Sequence, residues 1–189
     1  MIRSRHSLAS IRAACSIALA AVAVATIAHA GPEQLNGVTN FGRVTDNFFR
    51  GGEVTPRGLE NLRAIGVRTV IDLAGKDASE KQTCNRLGMT FYSFPMDGDE
   101  RPDDANVERI LGILRQAREP VYVHCAGGRH RAGTITALYR IRVQGWAPER
   151  AWAEQQSYGF GSPKDHRRLY EYVYGRSAAT SQSKHRSKG

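Results

Sequence analysis

The stretch "VYVHCAGGRHRAGT", Val121 to Thr134, ends a β-branched apolar run on a cysteine and follows it with glycines, positive charge and a helical pattern. A strand ending at Cys125, a turn through Gly127 and Gly128 and a helix opening near Arg131 aim several backbone N–H groups and a positive helix end at one small volume. An anion fits there. The glycines allow a tight, partly left-handed turn that a Cβ would resist. A thiol on the rim is expected to favour its thiolate, with a pKa below the ordinary cysteine value, and a thiolate is a nucleophile. Six residues on, Arg131 offers a planar fork to two oxygens of a tetrahedral oxyanion. The chemistry this set could carry is attack of sulfur on phosphorus, the charge being held by amides and a guanidinium. Cys125 and Arg131 are then the catalytic pair, and Ala126, Gly127, Gly128, Arg129, His130 and Arg131 the substrate-binding cradle. A free cysteine is more often a small buried hydrophobe, but the position between His124 and a glycine-arginine turn argues for chemistry.

Breaking a phosphate ester also needs an acid for the leaving oxygen, on a loop at the same sheet edge. The segment "MDGDERPDD" offers Asp97, Asp99, Glu100, Asp103 and Asp104. Asp103 and Asp104 precede a helical pattern, where acids cap the first turn and complement the helix dipole. His124 has two readings, a tuner of the thiolate or a satisfied core polar group. Arg129 and His130 add positive charge inside the loop, or are solvated rim charges. Cys84 falls on an amphipathic pattern and reads as core packing; a switch-like disulfide to Cys125 requires the two to be close.

The elements that must position these residues alternate along the chain. "TPRGLENLRAI" reads as a helix with Thr55 as N-cap, Pro56 at its first position and Gly66 just past its end. Short strands are expected at Phe48 to Arg50, "RTVIDL" and "TFYSF". Helices are expected at "ASEKQTCNRL", "ANVERILGILRQA", Ala132 to Val143, "APERAWAEQQ" and "SPKDHRRLYEYVY", the last opening on a Ser162/Asp165 capping box. "PVYVHC" is a continuous apolar strand of the kind buried on both faces of a parallel sheet. Strand and helix in turn predict an α/β fold, a central mostly parallel sheet flanked by helices on both faces. Ligands of such sheets bind beyond the carboxyl ends of strands, where Cys125 lies.

Composition narrows the class further. With 41% hydrophobic and 24% charged residues the 189-residue chain suits one globular domain with extra length at its ends. Residues 1–30 carry Arg3, Arg5 and Arg12, an apolar run from Ala13 to Ile27 and the small-x-small pattern Ala28-His29-Ala30, the form of a cleavable signal peptide. The run is shorter than the roughly 20 residues of a membrane span, so no stable membrane insertion is expected after cleavage. A secreted or periplasmic protein follows. Of the net charge of +9, three positive charges lie in that leader and four in residues 176–189, a polar tail that reads as disordered. The domain, residues 31–175, is therefore close to neutral, which argues against nucleic acid as a partner. Its two cysteines, Cys84 and Cys125, are too few for a disulfide framework.

His124, Cys125, Gly128 and Arg131 give H-C-x-x-G-x-x-R, which resembles the signature of the cysteine-dependent protein tyrosine and dual-specificity phosphatases. "FFRGGEVTPRGLENLRAIGVRTVIDL" and "ALYRIRVQGWAPERA" resemble segments on either side of that signature in the compact bacterial dual-specificity-like members. The resemblance spans roughly Phe48 to Tyr174. It implies a dual-specificity-phosphatase-like fold, a phosphocysteine intermediate on Cys125, phosphate held by the 126–131 backbone and Arg131, and neither metal nor cofactor. Alignment to the family from Pro95 selects Asp99 as the acid, and alignment back from "DDANVERI" selects Glu100; Asp99 is taken as the catalytic acid, with Asp97 behind it. One departure is Ala132, where the family usually carries Ser or Thr to help the thiolate leave. "CAGGRHR" also resembles the loops of atypical members that act on inositol polyphosphates. The substrate is thus expected to be a phosphorylated protein or, alternatively, an inositol phosphate or phosphoinositide. A rhodanese-like sulfurtransferase and a non-catalytic phospho-binding module are the rivals from other classes.

Overall fold

The computed structural model describes residues 31–75 and 78–175; the leader and tail readings lie outside them. Six strands form one mixed sheet in the order β1-β2-β3-β6-β4-β5. They are β1 (Glu33–Leu35), β2 (Val38–Thr45), β3 (Phe48–Gly51), β4 (Thr69–Asp72), β5 (Thr90–Ser93) and β6 (Val121–His124). β3, β6, β4 and β5 run parallel, and β1 and β2 add an antiparallel flank beside β3. Those two flanking strands were not expected. In β2 the period-two pattern is interrupted by Asn40, whose backbone is left-handed (φ 49°), and by Gly42.

Helices α1 (Pro56–Ala64) and α2 (Ala78–Arg86) cover one face of the sheet. Leu59, Leu62 and Cys84 pack there against Phe49, Val70 and Tyr122. The other face carries α3 (Asp104–Gln116), α4 (Arg131–Arg142), α5 (Pro148–Ser157) and α6 (Arg167–Tyr170), which runs on into a π-helical turn, Glu171–Gly175. Here Val107, Ile110, Ile135 and Leu138 meet Phe48, Ile71, Val121 and Val123. The alternation of β6 explains its central place: Val121 and Val123 point to one core, Tyr122 to the other, and all four of its residues are buried.

The predicted caps of α1 and α3 form: the Thr55 hydroxyl accepts from Gly58 N–H and the Asp103 carboxylate from Asn106 N–H. The expected capping box at Ser162 and Asp165 does not. Ser162 Oγ accepts from Lys164 N–H two residues on, Asp165 N–H bonds the Ser162 carbonyl, and the chain breaks at His166 (φ −131°, ψ 50°) before α6 begins. A local hydroxyl turn outcompeted helix initiation.

Candidate active site

The loop joining β6 to α4 is held by its carbonyls. The Ala126 carbonyl accepts from Glu53 N–H at 2.8 Å. Asn40 Nδ2 donates to the carbonyls of Gly128 (3.0 Å) and Gly127 (3.4 Å), and Arg50 Nη2 donates to that of Gly128 as well. With its carbonyls drawn to the scaffold, the loop turns its amides the other way. Among the described residues nothing accepts a hydrogen bond from the N–H groups of 126–131. A run of unpartnered backbone donors on a tight turn at a helix start is the kind of arrangement that can receive an anion.

Two glycines make this possible. Gly128 is left-handed (φ 66°), and a Cβ on it would stand 2.5 Å from the backbone of Gly51 and Gly52. A Cβ on Gly52 would in turn stand 2.7 Å from the Ala126 carbonyl oxygen. Loop and strand end touch backbone to backbone, and any side chain would part them. Tyr122, buried in β6, fixes the same corner by donating its hydroxyl to the Gly52 carbonyl at 2.7 Å.

Cys125 is buried at the bottom of the loop, while Ala126, Gly127 and Arg129 are exposed. Arg131 is half-buried at the start of α4, its Nη1 donating to the carbonyls of Leu73 (3.3 Å) and Met96 (3.2 Å). These tie it to the end of β4 and to the acidic loop. No side chain caps the N-terminus of α4, so its positive end is available to the loop. Ala132 is fully buried, and the hydroxyl of buried Thr134 has no partner among the described residues.

The acidic loop separates its carboxylates by what they touch. Asp97 Oδ1 accepts from Asp99 N–H, closing a turn. Glu100 pairs with Arg168, Asp103 caps α3, and Asp104 takes Arg101 and the Tyr172 hydroxyl. Asp99 differs. Its Oδ1 lies 3.3 Å from Nδ1 of His166, and the His166 ring centre lies 3.5 Å from that of His130 in the 126–131 loop, the planes tilted by 31°. Asp99 is thereby joined to the loop through two imidazoles. His130 also places Nε2 3.0 Å from the Phe160 carbonyl; burial first, and then neighbouring His166, hold its pKa below the ordinary histidine value.

His124 points to the other face. Its Nε2 lies 2.8 Å from Glu80 Oε1 and 4.0 Å from Asp72 Oδ1, and its ring stacks on Tyr122. The imidazole is therefore engaged on the side of the sheet away from the Cys125 core. Cys84 belongs to that side as well, so the two free cysteines sit in different cores. Burial, and then Glu80, push the Cys84 thiol up to about 12. It is an inert packing residue, and the contact that a Cys84–Cys125 switch requires is not made.

Sequence reasoning missed Arg50, Asn40 and His166. Arg50 left a trace, as the single charge in the apolar "FFRGG" before two glycines. Asn40 left none, since its partners lie 87 and 88 residues away. Among the described residues no cluster of histidine, cysteine and carboxylates is disposed to hold a metal ion.

Residues 32–169 match the model of a family described as DSP-PTPase phosphatase fused to NAD+ kinase. The chain is 32% identical over 158 residues to the dual specificity protein phosphatase TpbA of Pseudomonas aeruginosa, covering 82% of this chain and 71% of that protein. It is 26% identical over 126 residues to an inositol diphosphatase of Oryza sativa subsp. japonica, covering 63% of this chain and 61% of that one. A crystal structure of P. aeruginosa TpbA in complex with pTyr resembles this fold with a TM-score of 0.67 at 30% identity, covering 79% of this chain and 92% of the other.

Proposed function

The chain belongs to the DSP-PTPase family of cysteine-dependent phosphatases, and on that premise we propose that Cys125 is its nucleophile, Arg131 and the 126–131 amides its phosphate cradle, and Asp99 its general acid. The reaction class is phosphate monoester hydrolysis of the tyrosine and dual-specificity type. In the first step the Cys125 thiolate attacks phosphorus, an S–P bond forms as the P–O bond breaks, and the leaving oxygen takes the proton of Asp99. In the second, water gives a proton to Asp99 and its oxygen to phosphorus, the S–P bond breaks, and inorganic phosphate leaves with the thiolate restored. Arg131 and the amides carry the equatorial charge in both steps. The observation that supports this reading best is the outward pinning of the loop carbonyls, which frees the N–H groups of 126–131 for an anion.

A phosphorylated protein is the substrate class we favour. Inositol phosphates are the second, supported by exposed Arg129 beside His130 on the rim and by the inositol diphosphatase relative. Inositol hexakisphosphate should compete strongly with an inositol-type substrate and barely with a phosphopeptide. We propose a secreted or periplasmic location from the signal-peptide pattern in the sequence of residues 1–30, and a mature N-terminus at Gly31 is the result that would agree.

The deciding experiment is mass spectrometry after a brief pulse of p-nitrophenyl phosphate. A phosphate adduct on Cys125, absent from Cys125→Ser, is expected. Phosphopeptide binding with neither adduct nor phosphate release would instead make this a binding module. Thiosulfate turnover without aryl phosphate hydrolysis would make it a sulfurtransferase.

A further inference from the structure

A guanidinium stays charged in proteins, yet that of Arg50 lies wholly inside this one, at 0% exposure on β3. Its Nη1 donates to Gln155 Oε1 at 3.0 Å, Nη2 donates to the Gly128 carbonyl, and its Cζ lies over the Tyr158 ring, 4.0 Å from the ring centre. Nε has no hydrogen-bond partner among the described residues. Buried charges are ordinarily paired. Here, among the described residues, no carboxylate reaches ion-pair distance of Arg50. Glu154 is the acid whose field it feels most, and that carboxylate is already gripped by Arg140 Nε at 3.0 and 3.1 Å.

Burial lowers the Arg50 pKa from the ordinary arginine range, and the ionised forms of Tyr158, Glu154, Cys125 and Tyr122 work against that lowering. Burial raises the pKa of both tyrosines, which keeps them neutral. Cys125 is the next acid by position: strand pairing sets Arg50 opposite Val123 and Gly51 opposite His124, and the Cys125 N–H donates to the Gly51 carbonyl at 3.4 Å, one residue from Arg50.

We propose that Arg50 is the internal counter-ion of the phosphate loop: a positioning residue that draws the Gly128 carbonyl out of the cradle, and whose charge is balanced by the Cys125 thiolate and then by the bound phosphoryl group. Two guanidiniums thus flank the nucleophile, Arg131 from the substrate side and Arg50 from within the sheet. The inference rests on Cys125 being the reactive thiolate. It goes further in assigning part of that reactivity to a residue 75 positions upstream of it.

The test reads the thiol directly and needs no turnover. The iodoacetamide alkylation rate of Cys125 is followed against pH in the full-length protein, with vanadate protection measured beside it, in wild type, Arg50→Met, Arg50→Gln, Arg50→Lys and Asn40→Ala. Removing the charge in Arg50→Met or Arg50→Gln should move the alkylation midpoint up by about one pH unit and weaken vanadate protection about tenfold. Arg50→Lys should retain most of the wild-type midpoint. Asn40→Ala removes a neutral tether from the same carbonyl and no charge, and should move the midpoint by much less than Arg50→Met or Arg50→Gln does. A fold that accepts lysine and neither neutral residue supports the same charge requirement. An unmoved midpoint in a folded neutral variant, or an equal upward move in Asn40→Ala, overturns the proposal. Ordinary, unprotected alkylation of the wild-type thiol would instead refute the reading of Cys125, which keeps the two failures apart.

Discussion

The loop at residues 125–131 and the loop at residues 95–103 border the same sheet end, and they are held in opposite ways. The first is fixed from inside. Its carbonyls are bonded by Glu53, Asn40 and buried Arg50, and its backbone touches Gly51 and Gly52 with no room for a side chain. The second is fixed from outside. After Met96 N–H bonds the Leu73 carbonyl, Glu100, Arg101 and Asp99 pair near the surface, with exposed Arg168, half-buried Asp104 and half-buried His166 respectively. Exposed ion pairs are worth about 0–1 kcal/mol each, because water screens them and long side chains lose freedom in making them. The loop proposed to carry the nucleophile is therefore preorganised, whereas the loop proposed to carry the acid can move without breaking the core. That division suits a reaction in which phosphate must be held rigidly and the leaving group admitted and released.

Substitutions can break or sharpen this contrast. Arg131→Lys keeps the charge and loses the fork, so kcat/KM toward aryl phosphates should fall by about 10²–10³-fold. A drop under tenfold would show that the cradle does not depend on it. Asp99→Asn should cost about 10²-fold in kcat/KM with an alkyl or phenyl phosphate, and much less with a leaving group that needs no proton. Asp97→Asn and Glu100→Gln should each change rates by under about fivefold, as expected for exposed contacts. Reversal of that order would move the acid role along the loop.

Gly128→Ala tests the rigid side by itself. A left-handed alanine costs about 1–3 kcal/mol in backbone strain, and the added Cβ would meet the backbone of β3. Urea unfolding should report the loss. A variant as stable as wild type would mean that loop and strand can separate freely. Ala132 concerns the second step, because no hydroxyl follows Arg131. A rapid burst followed by slow release is expected in rapid-quench traces, with the slow phase quickened several-fold in Ala132→Ser. Equal rates for the two phases would remove that idea.

The smallest effect lies where the two loops meet. Burial and His166 depress the His130 pKa, so below the ordinary histidine value of 6.5 the unfolded chain takes up a proton that the folded chain resists. The contribution of His130 to stability is then fully present above that value and is lost as pH falls through the depressed one. Melting temperature should decline between pH 7 and 5.5, and His130→Gln should flatten the decline. An unchanged slope would separate His130 from the rim's pH response.

Much of the fold could be read along the chain, and the reason is local. Thr55 and Asp103 cap helices because a short side-chain oxygen reaches an amide three residues on. "VYVH" becomes the central strand because every one of its residues is apolar or has a buried partner. β1 and β2 escaped notice because their pairing is decided by β3, and Ser162 misled because a hydroxyl that can cap a helix can equally close a turn.

By itself the sequence determined the strand-loop-helix unit around Cys125, since glycine's access to positive φ, the polarity of a helix end and the i+6 spacing of Arg131 are all properties of neighbouring residues. Only the tertiary structure decided which acid joins the loop, that His124 is spent on Glu80 on the far face, and that Arg50 and Asn40 hold the loop from beneath. Those contacts link residues tens of positions apart, and which side chains meet there depends on strand order and on which face of the sheet each one is turned toward.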